Sequence, residues 1–175
     1  ISEKLKKDKE NEIIIASGDM DTLQLVDAKK VKVFTLKRGL TDTVIYDEST
    51  VVERFGFKPE LLPDYKGLRG DPSDNIIGIP GIGEKTATTL IANFGSLEQI
   101  FKKLKKSDLP FREAGITPRI IELLKNGEEE AIFSKTLATI RRDAPVQFDL
   151  PEKTWKETIS FPRAEKLFNE LEFRS

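Results

Sequence analysis

The chain has 175 residues, 38% of them hydrophobic and 34% charged, which is enough for one globular domain or a domain with a small lobe. It contains neither Cys nor His, which excludes disulfides, thiolate nucleophiles, Ser-His-Asp chemistry and the commonest transition-metal ligand. Its 29 basic and 30 acidic side chains leave a net charge of −1, so binding to nucleic acid would require local features rather than bulk charge. Any metal should be a hard cation bound by oxygen.

The first part of the chain predicts the end of an α/β sheet. Residues 1–12 have the composition of the polar tail of a helix, and the apolar run Ile13–Ala16 is typical of a strand buried on both faces. The expected elements that follow are a short helix at Asp21–Val26 and strands at Lys30–Leu36 and Thr43–Tyr46, joined by a turn at Arg38–Leu40. Two or three strands are too few for a self-standing parallel sheet, so we expect the sheet to continue upstream of Ile1.

From Asp47 onward the pattern is helical. The expected helices are Ser49–Phe55, Glu60–Leu68, Glu84–Phe94, Leu97–Leu104, Pro118–Asn126, Glu128–Ile140 and Pro162–Leu171. Arg141–Ser160 is expected to be extended, and Trp155 and most Phe residues are interpreted as core. The predicted organisation is therefore α/β, with residues 1–47 ending a mostly parallel sheet and residues 48–175 forming a helical subdomain.

Two pairs of aspartates are candidates for chemistry. Asp19 and Asp21 directly follow the first strand, and ligands bind at the carboxyl ends of strands in open α/β sheets. Asp71 and Asp74 are three residues apart, so they would share one face of a helical turn. Both pairs have a simpler interpretation, because an Asp at the start of a helix commonly caps it. Taken separately, neither pair decides between a metal site and a cap.

A third feature is the segment Ile79-Pro80-Gly81-Ile82-Gly83-Glu84-Lys85-Thr86. Gly81 and Gly83 flank Ile82 and let the backbone approach a phosphate, while the start of the next helix presents free N–H groups. Lys85 and Thr86 add a charge and a hydroxyl. This pattern predicts a helix-hairpin-helix that holds one DNA strand by its backbone without reading sequence.

The run from Asp64 to Ala87, which includes both Gly70-Asp71-Pro72-Ser73-Asp74-Asn75 and the hairpin, closely resembles the 5′-nuclease domain of bacterial DNA polymerase I. Gly18-Asp19-Met20-Asp21 is similar to the Asp-x-Asp segment of that family, and Phe168–Ser175 resembles the stretch leading into the polymerase part. The resemblance covers nearly the whole chain. It implies a PIN-like 5′-nuclease fold that is truncated at its start and contains the helix-hairpin-helix at about residues 71–94.

The resemblance also implies a function. Members hydrolyse phosphodiesters at 5′ ends and flaps with two Mg²⁺ or Mn²⁺ ions. Asp19, Asp21, Asp71 and Asp74 are expected to be catalytic metal ligands, the last three at the second metal. The hairpin residues Gly81, Ile82, Gly83, Lys85 and Thr86 are expected to contact DNA, with K⁺ bound there by backbone carbonyls. The remaining ligands of the family and its catalytic Lys and Arg would lie upstream of Ile1, so this chain would carry about half of the site.

The implied partners are DNA flaps, nicks and duplex ends, bound without sequence preference, and a polymerase domain in the same polypeptide. The resemblance implies a cytoplasmic monomer at the bacterial nucleoid, and the sequence contains no apolar run near the roughly 20 residues of a membrane span. Two alternatives remain open. They are a non-catalytic helix-hairpin-helix module and a stand-alone 5′-exonuclease. The run Lys102–Lys106 is interpreted either as a duplex contact or as a solvated helix end.

Overall fold

A computed structural model describes residues 1–8, 10–28, 30–39 and 41–173. The chain forms two compact units, Ile1–Ala144 and Pro145–Ser175. The first contains a small sheet and most of the helices, and the second contains two helices. The candidate residues named above all belong to the first unit.

Three strands form the sheet: β1 (Ile13–Ala16), β2 (Val31–Arg38) and β3 (Asp42–Tyr46). β2 lies in the middle, parallel to β1 and antiparallel to β3, so the described sheet has one pair of each kind rather than being mostly parallel. The turn residue Leu40 lies outside the described residues. The alternation predicted for β2 is confirmed, because Val31, Val33 and Thr35 are buried on one face.

The prediction that β1 is buried on both faces is wrong for this chain. Ile14 is 55% exposed, and Leu36 and Ile45 are about as exposed. β1 instead alternates between half-buried and exposed residues. One face of the sheet therefore packs on the helices, and the other face presents apolar side chains.

One short helix precedes the sheet in the chain, and the other helices follow it. In the first unit they are α1 (Ser2–Leu5), α2 (Glu48–Phe55), α3 (Leu62–Arg69), α4 (Glu84–Phe94), α5 (Leu97–Leu104), α6 (Leu109–Glu113), α7 (Pro118–Asn126) and α8 (Glu128–Ala138). Short 3₁₀ segments occur at Met20–Leu25, Pro59–Leu61 and Pro72–Asp74.

The core lies mainly between these helices. In α5, Leu97, Ile100, Phe101 and Leu104 are buried at helical spacing, and Ser96 and Gln99 form the expected capping box at its start. Phe94 stacks on Phe111 of α6 with 4.2 Å between ring centroids. The apolar core of the helices is continuous with buried residues of the sheet such as Val33 and Tyr46.

Several helix boundaries differ from the prediction. α4, α5 and α7 have the predicted bounds. Among the described residues before β1 the only helix is the short α1, and the short helix α6 was not predicted. α8 ends at Ala138 and not at Ile140, because Thr139 is extended and the N–H of Ile140 donates to the side chain of Gln24. That hydrogen bond replaces the intrahelical one that would have continued α8.

The second unit contains α9 (Trp155–Thr158) and α10 (Phe161–Glu170). The expected extended stretch is thus interrupted by α9, which begins with a capping box between Thr154 and Glu157. Trp155 is 72% exposed, so its assignment to the core is wrong, and only four Phe residues (57, 94, 101 and 111) are buried. No helix in the described part of the chain has the length and apolar character needed to cross a membrane.

Candidate functional site

Asp21 lies in the 3₁₀ segment that follows β1. Asp19 caps this segment, since its Oδ1 accepts a hydrogen bond from the N–H of Asp21 at 2.9 Å. Asp19 therefore acts as the helix cap that the simpler interpretation predicts. The side chain of Asp21 does not cap this segment and contacts Lys66 instead. The strand end places both residues at the same edge of the sheet.

Asp71 and Asp74 lie in a tight loop between α3 and α4. Asp71 caps the 3₁₀ segment through the N–H of Ser73 at 3.0 Å, and Pro72 takes the first helical position. Asn75 then adopts a left-handed conformation, and Asp71 and Ile76 exchange two backbone hydrogen bonds of 2.8 and 2.9 Å. We refer to Asp71–Ile77 as the acidic loop.

The fold brings three of the four predicted carboxylates together. Asp21, Asp71 and Asp74 each place a carboxylate oxygen within 4.8 Å of the others, and Asp19 is outside this group. Asp71 is nearly buried and Asp74 is exposed, so the group opens to solvent on one side. Three converging carboxylates repel one another and form a donor set of the type that binds a hard divalent cation.

Lys66 of α3 lies against this group. Its Nζ contacts a carboxylate oxygen of Asp21 and lies 2.5 Å from Oδ2 of Asp71. Burial raises the pKa of Asp21, and the hydrogen bond from Lys66 offsets this only in part. Burial also acts to raise the pKa of Asp71, but hydrogen bonds from Lys66 and Ser73 outweigh it, so that pKa is lowered. A cation is thus stabilised at this position.

Sequence reasoning did not single out Lys66, although a signal was present. Six of the eight residues of α3 are buried, and a Lys within such a helix needs a partner for its charge. The same two carboxylates raise the pKa of Lys66 in spite of its burial. Its location could not be derived from spacing, because Asp21 is 45 residues away along the chain.

The predicted hairpin turn follows the acidic loop, but the prediction of a helix before it within residues 71–94 is wrong, because those residues form only the 3₁₀ segment Pro72–Asp74 ahead of the turn. Gly81 has a φ of +96°, and Ile82 donates to the carbonyl of Ile79 at 3.0 Å. The side chain of Ile82 is buried, so it is not available to contact a partner. Gly83 is the N-cap of α4 and has no side chain to cover the N–H groups at its start. Lys85 is exposed beside them.

Comparison with known proteins assigns the family. Residues 57–160, more than half of the chain, match the family model of the 5'-3' exonuclease, C-terminal SAM fold. The chain belongs to this family. The matched residues of the 5'-3' exonuclease SAM fold include the acidic loop and the hairpin, and Asp21 lies before them.

The chain is also similar to larger proteins. It is 39% identical over 164 residues to DNA polymerase I of Bacillus caldotenax, covering 94% of this chain and 18% of the polymerase. It therefore spans less than a fifth of that relative. A structure described as divalent metal ions (zinc) bound to T5 5'-exonuclease has 25% identity and a TM-score of 0.60, covering 73% of this chain and 43% of that one.

A second solved structure, a bacteriophage T5 flap endonuclease in a pseudo-enzyme–product complex with DNA and metal ions, has 24% identity and a TM-score of 0.63. The match covers 79% of this chain and 46% of the T5 chain. It confirms the mixed α/β fold of this chain, whose helical region matches the SAM-fold family model.

Proposed function

We propose that this chain is the C-terminal part of a metal-dependent 5′–3′ exonuclease and flap endonuclease within a DNA polymerase I polypeptide. The observation that carries the proposal is the convergence of Asp21, Asp71 and Asp74 within 4.8 Å, next to a hairpin with free backbone donors. The family and the similarity to DNA polymerase I support it. A non-catalytic hairpin module would not require the three carboxylates to meet.

The residues fit a divalent metal. Carboxylate oxygens are the preferred ligands of Mg²⁺ and Mn²⁺, and the position already stabilises the ammonium group of Lys66. Asp21, Asp71 and Asp74 would hold one ion, with Asp19 beside them, and polypeptide upstream of Ile1 would supply the ligands of the other. When bound, a pair of such ions supplies a clamp for the attacking and leaving oxygens of a phosphodiester.

The hairpin would hold the DNA. Phosphate contacts made by backbone N–H groups and Lys85 position a strand without reading its bases. The carbonyl groups around Gly81 and Gly83 would bind K⁺, and the hydroxyl of Thr86 would support the phosphate contact. The partners would be 5′ flaps, nicks and duplex ends of any sequence.

The proposed organisation keeps residues 1–47 as the end of the nuclease sheet and residues 48–175 as its helical subdomain. The exposed apolar face of β1, β2 and β3 supports this, because such a face needs a partner layer. We further propose that the protein acts as a monomer in the bacterial cytoplasm, at the nucleoid.

The test is cleavage of a 5′-labelled flap substrate with Mg²⁺. We expect the 175-residue chain alone to cleave negligibly, and the polypeptide with its upstream half to cleave well. Asp71→Ala or Asp74→Ala in the longer polypeptide should lower the rate about a thousandfold or more, because each removes a ligand of the metal clamp. Asp143→Ala is the matched control, since Asp143 is an exposed carboxylate paired with Arg141.

Two outcomes would contradict the proposal. Full activity of both Asp71→Ala and Asp74→Ala would show that the acidic loop has no part in catalysis. Strong cleavage by the 175-residue chain alone would show that this chain contains a complete active site.

A further inference from the structure

Helix α8 makes buried polar contacts with both segments that carry the clustered carboxylates. These contacts use Gln24 and Ser134, which are only 2% and 1% exposed. The partners are far apart in the chain, separated by 114 residues for Gln24 and Ala138 and by 56 residues for Gly78 and Ser134. Buried polar groups at such long-range contacts specify geometry, because leaving either one unpaired is costly.

Ser134 holds the acidic loop. Its Oγ accepts a hydrogen bond from the N–H of Gly78 at 3.0 Å and donates to Glu130 one turn earlier in α8. Gly78 and Gly70 form the neck of the loop, and their backbones are so close that a Cβ atom on Gly78 would overlap the backbone N of Gly70. Holding Gly78 therefore fixes both ends of the loop.

Gln24 holds the segment that carries Asp21. Its side-chain amide donates to the carbonyl of Ala138 at 2.8 Å and accepts from the N–H of Ile140 at 3.2 Å. Both polar atoms of the amide are thus engaged at the C-terminal end of α8. Gln24 lies three residues after Asp21 in the same 3₁₀ segment, so this contact fixes Asp21 relative to α8.

We propose that α8 is a brace that sets the distance between Asp21 and the acidic loop, with Gln24 and Ser134 as positioning residues. The proposal rests on the proposed metal function of the cluster. Ser134 and Ala138 are one helical turn apart, so a single rigid element spaces the two anchor points. Lys66 also links the two segments, but its side chain is long and flexible and does not fix a spacing.

The first test measures Mn²⁺ binding to the 175-residue chain by calorimetry. Ser134→Ala and Gln24→Ala should each weaken Mn²⁺ binding about tenfold, as expected when the support of a metal ligand is lost. Ser134→Thr, which keeps the hydroxyl, should restore binding. Ile100→Val is the control, because it removes a buried methyl group from α5 without touching the brace and should leave the affinity unchanged.

The second test measures amide hydrogen exchange without metal. Ser134→Ala should speed exchange at Gly78 and Ile76 about tenfold, whereas Gln24→Ala should act on Ile140 and leave Ile76 unchanged. If Ser134→Ala does not fold, Ser134→Cys keeps a similar volume and gives the same test. Amide exchange reports directly on the hydrogen bonds made by Ser134 and Gln24, and it does not depend on nuclease activity.

The outcomes separate the brace from the proposed function. Unchanged Mn²⁺ affinity in both variants, with altered exchange, would overturn the brace and leave two merely structural anchors. Failure of the unaltered chain to bind Mn²⁺ would contradict the metal function. In that case the exchange at Ile76 still tests the Ser134 anchor, and the brace is overturned if Ser134→Ala leaves that exchange unchanged.

Discussion

The acidic loop and the hairpin are neighbours in sequence, and both are bounded by glycines, yet the glycines serve opposite purposes. At the neck of the loop, Gly70 and Gly78 allow two backbones to touch, and no side chain could fit there. In the hairpin, nothing lies within 4 Å of a Cβ built on Gly83, and the backbone faces open space. One pair of glycines closes a loop to hold carboxylates, and the other leaves backbone groups accessible. The following predictions test this difference.

The largest effect on stability is expected for Gly78→Ala. Its φ of +66° is unfavourable for Ala, and the new methyl group would overlap the backbone at Gly70. We expect the free energy of unfolding in urea to fall by about 3 kcal/mol. Gly18→Ala is the control, because no atom lies within 4 Å of its Cβ position. Equal stability of the two variants would show that the neck is not closed as described.

Gly81→Ala should have a smaller effect. The φ of +96° costs an Ala residue about 1–2 kcal/mol, and the only close atom is Cδ1 of Leu123, 3.0 Å away at the end of a flexible side chain. Urea denaturation of Gly81→Ala, alone and combined with Leu123→Ala, separates the two causes. If Leu123→Ala abolishes the cost, steric contact and not the backbone conformation is responsible.

Acid should loosen the loop and not the hairpin. The pKa of Asp71 is lowered in the folded chain, so its ionised form stabilises the loop above the unfolded pKa of about 4, and this contribution is lost as the pH falls through the folded value. We expect the opening free energy at the Ile76 amide to drop by about 1 kcal/mol on acidification. The hairpin Ile79–Gly83 has no ionisable side chain, so the Ile82 amide is the internal control. A parallel loss at both amides would point to global acid unfolding.

The smallest effect on stability is expected for Gly83→Ala and Gly83→Val. Gly83 has a φ of −89°, which any residue adopts, and its Cβ position is empty, so stability should change by less than about 0.5 kcal/mol. Gly83→Val should nevertheless weaken binding to flap DNA by blocking phosphate approach. Fluorescence anisotropy with two unrelated DNA sequences measures this. Loss for one sequence only, or no loss, would contradict backbone contact at the hairpin.

Much of the helical region could be predicted from local sequence. Glu84–Phe94, Leu97–Leu104 and Pro118–Asn126 have clear caps and apolar spacing, and these helices have the expected bounds. Predictions failed where a distant partner decides the outcome. The end of α8 depends on Gln24, and the exposure of Ile14 depends on which layers cover the sheet.

The sequence by itself determined the chemistry available to this chain. The absence of His and Cys and the two aspartate pairs restrict a metal site to hard cations bound by oxygen, and Gly81-Ile82-Gly83 specifies an accessible backbone turn. Only the tertiary structure decided that Asp21 meets Asp71 and Asp74, that Asp19 remains a cap, and that Lys66 lies among them. The physical reason is that local spacing sets which residues share a turn, whereas the packing of α3 and α8 against distant segments sets which turns meet.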